Sequence, residues 1–188
     1  MAPHATDESP FDTLFCGLLP RLYRRAVMLA GTPHAAEDAV HETYLKLVAR
    51  PEKLLGHPEP YAYAFRAMLS AVHDARRKEK RHVLTDAPES LAGAEGAAGG
   101  LAPAVAWDGG FERRQGELEA MRLLGGLSAR QAAVVILVDL DGYTLDQAAR
   151  IMRVHRGTAA RHRTRALGAL RAELTRSCAD GGGGHDRA

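Results

Sequence analysis

The chain has little cysteine, few aromatic residues and no long apolar run, and each shortage excludes something. Cys16 and Cys178 are its only cysteines, and they stand in no CxxC or Cys/His zinc spacing. A disulfide framework and a structural metal knot are therefore both excluded. The longest apolar run, Ala132 to Val138, falls far short of the roughly 20 residues that a membrane-spanning helix needs. The N-terminal residues, Met1 to Glu8, carry no signal-peptide pattern. A soluble, cytoplasmic protein without membrane insertion is expected. No Gly-rich phosphate loop, GxSxG elbow or HExxH motif occurs, so no catalytic residue is assigned and an enzyme is not expected. His34, Glu37 and His41 are spaced 3 and 4 apart, but histidines on an acidic helix surface are ordinary, and no metal or cofactor is expected. Cys16 lies in an apolar stripe and is expected in the core.

What the chain does have is charge arranged in blocks. Its 188 residues are 46% hydrophobic, 5% aromatic and 26% charged, with 28 glycines and prolines. A core is affordable, but part of the chain should stay unpacked. The formal net charge is only +2. Yet residues 61–82 carry a net +4, residues 83–110 a net −4, and residues 150–176 a net +7 from eight arginines against Glu173. Two basic blocks flank an acidic Gly/Ala-rich stretch that reads as a flexible linker. Its 28 residues would average about 30 Å end to end and stretch to about 90 Å.

Helical periodicity dominates both flanks, which predicts an all-α fold of two small helical domains on a linker. The expected division is 1–10 disordered, 11–82 first domain, 83–110 linker, 111–175 second domain and 176–188 disordered tail. In the first domain, Phe11, Leu14, Phe15, Leu18, Leu19 and Leu22 recur at helical spacing, with Pro20 expected to kink the helix and Gly31 to end it. Thr32-Pro33 starts a second helix whose buried stripe should be Ala36, Val40, Tyr44, Leu47 and Val48. A loop is expected from Pro51 to Pro60. In the third helix Ala62, Phe65, Leu69 and Val72 should face inward, leaving Arg66, Ser70, His73, Arg77 and Lys80 or Arg81 on the outer stripe.

The second domain shows two capping boxes, Ser128-Ala-Arg-Gln131 and Thr144-Leu-Asp-Gln147. A short helix over 144–152, a break at Arg153-Val154-His155 and a longer basic helix from about Arg156 to Leu174 form a helix-turn-helix pattern. Arg156, Thr158, Arg161, His162 and Arg165 lie near the start of that last helix, where duplex DNA needs cations and a helix that fits its major groove. Arg163 shares the stripe of Ala159, Ala166, Leu167 and Leu170. Either its aliphatic stem snorkels outward or the register differs.

These motifs resemble one family in two places. Gly31-Thr-Pro-His-Ala-Ala-Glu-Asp-Ala-Val-His-Glu-Thr-Tyr44-Leu-Lys-Leu is similar to the polymerase-binding helix of extracytoplasmic-function (ECF) sigma factors, with His41 where glutamine is usual. Tyr61 to Arg81 resembles the segment that melts and reads the −10 element, with Ser70 at a common asparagine. Leu127 to Leu137 and Tyr143 to Leu170 resemble the fourth sigma region, whose last helix reads the −35 element. Departures fall at Arg153, where glycine is usual, and at Arg163, where the family is apolar.

The resemblance implies that Glu37, Asp38, Val40, His41, Glu42, Tyr44 and Leu45 bind core RNA polymerase in its β′ clamp region. It implies that Tyr61, Arg66, Ser70, His73, Arg76, Arg77, Lys80 and Arg81 contact the −10 region. Arg156, Thr158, Ala160, Arg161, His162 and Arg165 would contact the −35 region of promoter DNA. An anti-sigma factor is a further implied partner. Two other readings stay open: a helix-turn-helix regulator acting without core polymerase, and a sigma-like protein-interaction module.

Overall fold

The computed structural model describes residues 9–85 and 110–181. The expected disordered N-terminus, the linker and the end of the tail lie outside the described residues, except at their edges. Among the described residues there are helices and no strand. The first half contains α1 (Pro10–Ala30), α2 (Pro33–Val48), α3 (Pro51–Leu55) and α4 (Pro60–Thr85). The second contains α5 (Gly110–Gly125), α6 (Ala129–Val135), a π-helical turn (Ile136–Leu140), α7 (Leu145–Met152) and α8 (Arg156–Gly181). Helix therefore reaches into what the sequence assigned to the linker and to the tail.

Local chemistry sets most of these boundaries. Pro10 opens α1, where a missing N–H costs nothing. Helix α1 runs on through Pro20, whose missing hydrogen bond would have gone to the carbonyl of Cys16; both residues are exposed, so water can satisfy the freed oxygen. Gly31 ends the helix in the left-handed region, φ 88°, and its N–H donates to the Val27 carbonyl. The next residue begins α2: Thr32 Oγ1 accepts from the Ala35 N–H at 3.3 Å, and Pro33 takes the first helical position.

Helix α2 packs against both α1 and α4, and this turns its buried stripe slightly from the expected one. Ala36, Ala39, Thr43 and Leu47 are buried, Val40 and Tyr44 are half-buried, and Val48 is exposed. Thr43 resolves its buried hydroxyl by donating to the Ala39 carbonyl at 2.6 Å. The expected loop after α2 instead holds α3, opened by Pro51 and anchored by the fully buried Leu54. Cys16 is exposed rather than core. The α1 residues that fill the core on that side are Phe11, Phe15 and Leu22. The Phe11 and Phe15 rings stack at 5.9 Å, with the Tyr44 ring edge-on to Phe15 at 5.2 Å.

In the second half both capping boxes form reciprocally. Gln131 and Gln147 each accept from the backbone of their cap residue, at 3.1 and 2.8 Å. The π turn closes with the Asp141 N–H donating to the Ile136 carbonyl, and Gly142 at φ 77° then reverses the chain. Ala132, Ala133, Ala148, Ala149, Ala159 and Ala166 are buried; such small side chains let α6, α7 and α8 approach closely. Arg163 follows the snorkelling alternative: it reaches out to Asp139, with contacts of 2.6 and 3.1 Å.

The two halves lie against one another. Helix α1 packs on α5 and α6, and α4 packs on α6 and α7, within one continuous core. Among the described residues, no helix is long and apolar enough to cross a membrane.

Candidate nucleic-acid interface

Helix α8 presents its first turns to solvent because the preceding turn is tight. Arg153 adopts the left-handed conformation, φ 53°, and the Val154 N–H donates back to the Ala149 carbonyl. The chain then re-enters a helix at Arg156. Ala159 and Ala166 fix the buried side of α8, so Arg156, Thr158, Arg161 and Arg165 are exposed, with Ala160 and His162 half-buried. Arg156 pairs with Asp146 across the turn at 2.9 Å, which sets its direction but adds little stability in water. Partial burial pushes the His162 pKa below its ordinary value, and the nearby positive charges of Arg130 and Arg165 add to this.

Arg130 was not singled out from the sequence. It is exposed near the start of α6 and shares its field with His162 and Arg165 of α8. Its position as third residue of the capping box Ser128–Gln131 is legible, but its neighbourhood with α8 is a tertiary fact. Together these groups make a cationic face that can bind phosphates while α8 approaches bases.

The second candidate face lies on α4. Ser70, His73, Arg77 and Arg81 are exposed, and Arg66 is half-buried with its guanidinium 4.8 Å from the centre of the Tyr63 ring. The Lys80 side chain lies outside the described residues. Two residues assigned to this face point elsewhere. Tyr61 is only 7% exposed, its hydroxyl donates to Asp141 at 2.7 Å, and the Arg21 guanidinium lies 3.7 Å from its ring centre. Burial, and then the Asp141 carboxylate, raise the Tyr61 pKa well above its ordinary value. Arg76 continues the buried stripe of Phe65, Leu69 and Val72. It donates to the Leu29 carbonyl at 2.6 Å and to the Leu127 carbonyl at 3.1 Å, so it clasps the end of α1 to the turn between α5 and α6.

The third surface is the outer face of α2. Glu37, Asp38, His41 and Glu42 are exposed there beside Leu45, which is 47% exposed. Val40 and Tyr44 are half-buried, and the Tyr44 hydroxyl donates to Asp12 at 2.9 Å. Glu42 pairs with Lys46 at 3.3 Å and His34 approaches Asp38 at 3.8 Å. An acidic rim around an exposed leucine suits a protein partner better than DNA.

Comparison with known proteins agrees with this layout. The sigma-70 region 2 family matches residues 14–82 and the sigma-70 region 4 family matches residues 117–170. No curated protein matches the chain in sequence. Among solved structures, the chain is similar in fold to the sigma factor RpoE of Bartonella quintana, in complex with the anti-sigma factor NepR. The identity is 24% over 88% of this chain and 96% of that chain, with a TM-score of 0.62. With regions 2 and 4 present in order and together spanning well over half of its length, the chain belongs to the sigma-70 family and is an extracytoplasmic-function sigma factor.

Proposed function

We propose that this sigma factor divides promoter recognition among three helices. Helix α2 binds core RNA polymerase at its β′ clamp region, through Glu37, Asp38, Val40, His41, Glu42, Tyr44 and Leu45. The start of α8, with Arg156, Thr158, Ala160, Arg161, His162 and Arg165, anchors the complex on the −35 element. The α4 face holds the opened −10 strand with Arg66, Ser70, His73, Arg77, Lys80 and Arg81. Tyr61 and Arg76 join that face only when their present partners release them. Taking a base out of the duplex costs a few kcal/mol, which cations on the backbone and stacking on an aromatic ring can offset.

The observation that carries this reading is the coexistence of two unlike surfaces on one chain: a cationic helix-turn-helix at α8 and an acidic face around Leu45 on α2. A regulator acting on DNA alone has use for the first only. The work is binding and strand opening in the cytoplasm, without bond chemistry. The solved relative is held by an anti-sigma factor, and a partner of that kind is proposed here for the α2 face.

The test is co-elution of the full chain with sigma-free bacterial core polymerase on a sizing column. Stoichiometric co-elution is expected, with loss on Leu45→Asp or Glu42→Lys. These exposed positions are preferred to Tyr44, whose half-buried ring packs against Phe11 and Phe15. Intact DNA binding without co-elution would reduce the protein to a helix-turn-helix regulator.

A further inference from the structure

We infer that His155 is a positioning residue for α8: its neutral ring caps the helix, so that anchoring on duplex DNA weakens as pH falls. The inference rests on the reading of α8 as the duplex-contacting helix. His155 stands just before Arg156, in the turn between α7 and α8. The opening backbone groups of α8 return to this one residue. The Gly157 N–H donates to its ring Nδ1 at 3.1 Å, while the Thr158 and Ala159 N–H groups donate to its carbonyl at 2.9 and 3.0 Å. A new helix leaves its first donors without partners, and a side-chain acceptor at this position holds the first turn in place. Gly157 admits the ring: a Cβ there would lie 3.3 Å from Nδ1, closer than ordinary contact.

The place of the ring proton follows from this bond. A ring nitrogen that accepts carries no hydrogen, so the neutral ring bears its proton on Nε2. Protonation puts a hydrogen on Nδ1 as well, and the cap is lost. A positive charge is also unfavourable at the N-terminal end of a helix dipole. The surrounding charges add to this. Arg153 and Arg156 lie close to His155 in the chain, and Arg66 and His73 of α4 with Arg130 of α6 line the cleft beside Arg153 and Val154. Asp146 of α7 is the exception, and Arg156 already holds it at 2.9 Å.

The other side-chain caps are of a different kind. Thr32, Ser128 and Thr144 cap α2, α6 and α7 with hydroxyl oxygens, which accept in the same way at neutral and mildly acid pH. Acid therefore acts on the entry of α8 and leaves those helices in place. The turn that frays carries Arg156 and Thr158, and the apparent affinity for duplex DNA falls with the fraction of molecules in which that turn is formed.

The test uses the full chain and a 30-bp duplex enriched from a randomised pool by the parent protein at pH 7.5. His155→Ala should bind about fivefold more weakly at that pH, the equivalent of one lost cap. His155→Asn, whose side-chain oxygen caps without titrating, should bind within about twofold of the parent there. Between pH 7.5 and pH 5.5 the parent should lose about fivefold in affinity relative to His155→Asn. Both proteins keep His73 and His162, so the titration of those rings cancels in the ratio. Long-range proton–nitrogen NMR correlations of the parent at pH 7.5 should show His155 with its proton on Nε2. Parallel pH profiles for the parent and His155→Asn, an unchanged affinity in His155→Ala, or a proton on Nδ1 overturns the inference. Arg165→Ala separates the causes: if it too leaves duplex binding unchanged, the reading of α8 falls and takes the role of the cap with it.

Discussion

The two halves of the molecule both bury many alanines, but only the first adds aromatic bulk to them. The α1–α4 half is filled by bulk: Phe11, Phe15, Phe65, Leu22, Leu29, Leu54 and Met68 are almost wholly buried. The α6–α8 half closes on seven buried alanines, at 129, 132, 133, 148, 149, 159 and 166, with Val134, Ile136 and Leu137 and no buried aromatic side chain among the described residues. A core of large side chains tolerates no loss of volume, and a core of alanines tolerates no gain. The difference follows from the work proposed for each half. A helix-turn-helix must hold short helices close enough to present α8 at a fixed angle. The first half needs only a stable platform for its α2 and α4 faces.

Substitutions can break this contrast from both sides. Removing bulk from the first half with Phe65→Ala should cost about 3–5 kcal/mol, read as a fall in the denaturant midpoint. Adding bulk to the second with Ala166→Leu should cost about 1–3 kcal/mol, and duplex DNA binding should be lost before co-elution with core polymerase is. If Phe65→Ala proved mild and Ala166→Leu severe, the assignment of bulk and closeness would be reversed. Thr144→Ala removes the cap of α7 and should cost about 1 kcal/mol. Arg153→Gly should move the other way. A non-glycine residue at positive φ costs about 1–2 kcal/mol, glycine returns about 0.5–1 kcal/mol of that as chain entropy, and a rise in Tm of a few degrees at most is expected. Arg165→Ala should leave stability within about 0.5 kcal/mol but reduce the slope of log affinity against log salt by about one on any duplex.

Legibility also differed between the halves, and the reason is the range of the signals. Gly31-Thr32-Pro33, the two capping boxes and the Arg153–His155 break act within four residues, and all were readable before any packing was known. Helical periodicity likewise placed Phe65, Leu69 and Val72 inward on α4. Periodicity failed where an element has two neighbours or none. Helix α2 lies against both α1 and α4, so Thr43 went in and Val48 came out. Cys16 shares the spacing of an apolar stripe on α1 and still faces solvent. The candidate sites were legible as sets of charged residues, but Arg76 and Arg77 are indistinguishable in sequence. One clasps two carbonyls across the halves, and the other is exposed.

By itself, the sequence determined most of the helices, many of their ends, the helix-turn-helix and the family, because these rest on propensities, caps and motifs whose interactions close over a few residues; the short α3 was not among them. The tertiary structure alone decided that Asp141 would be buried among Arg21, Arg25 and Tyr61, 80 residues or more away along the chain. A carboxylate in an Asp-Gly turn reads as a solvated turn residue. Only the docking of one half on the other removes its water and supplies donors in its place.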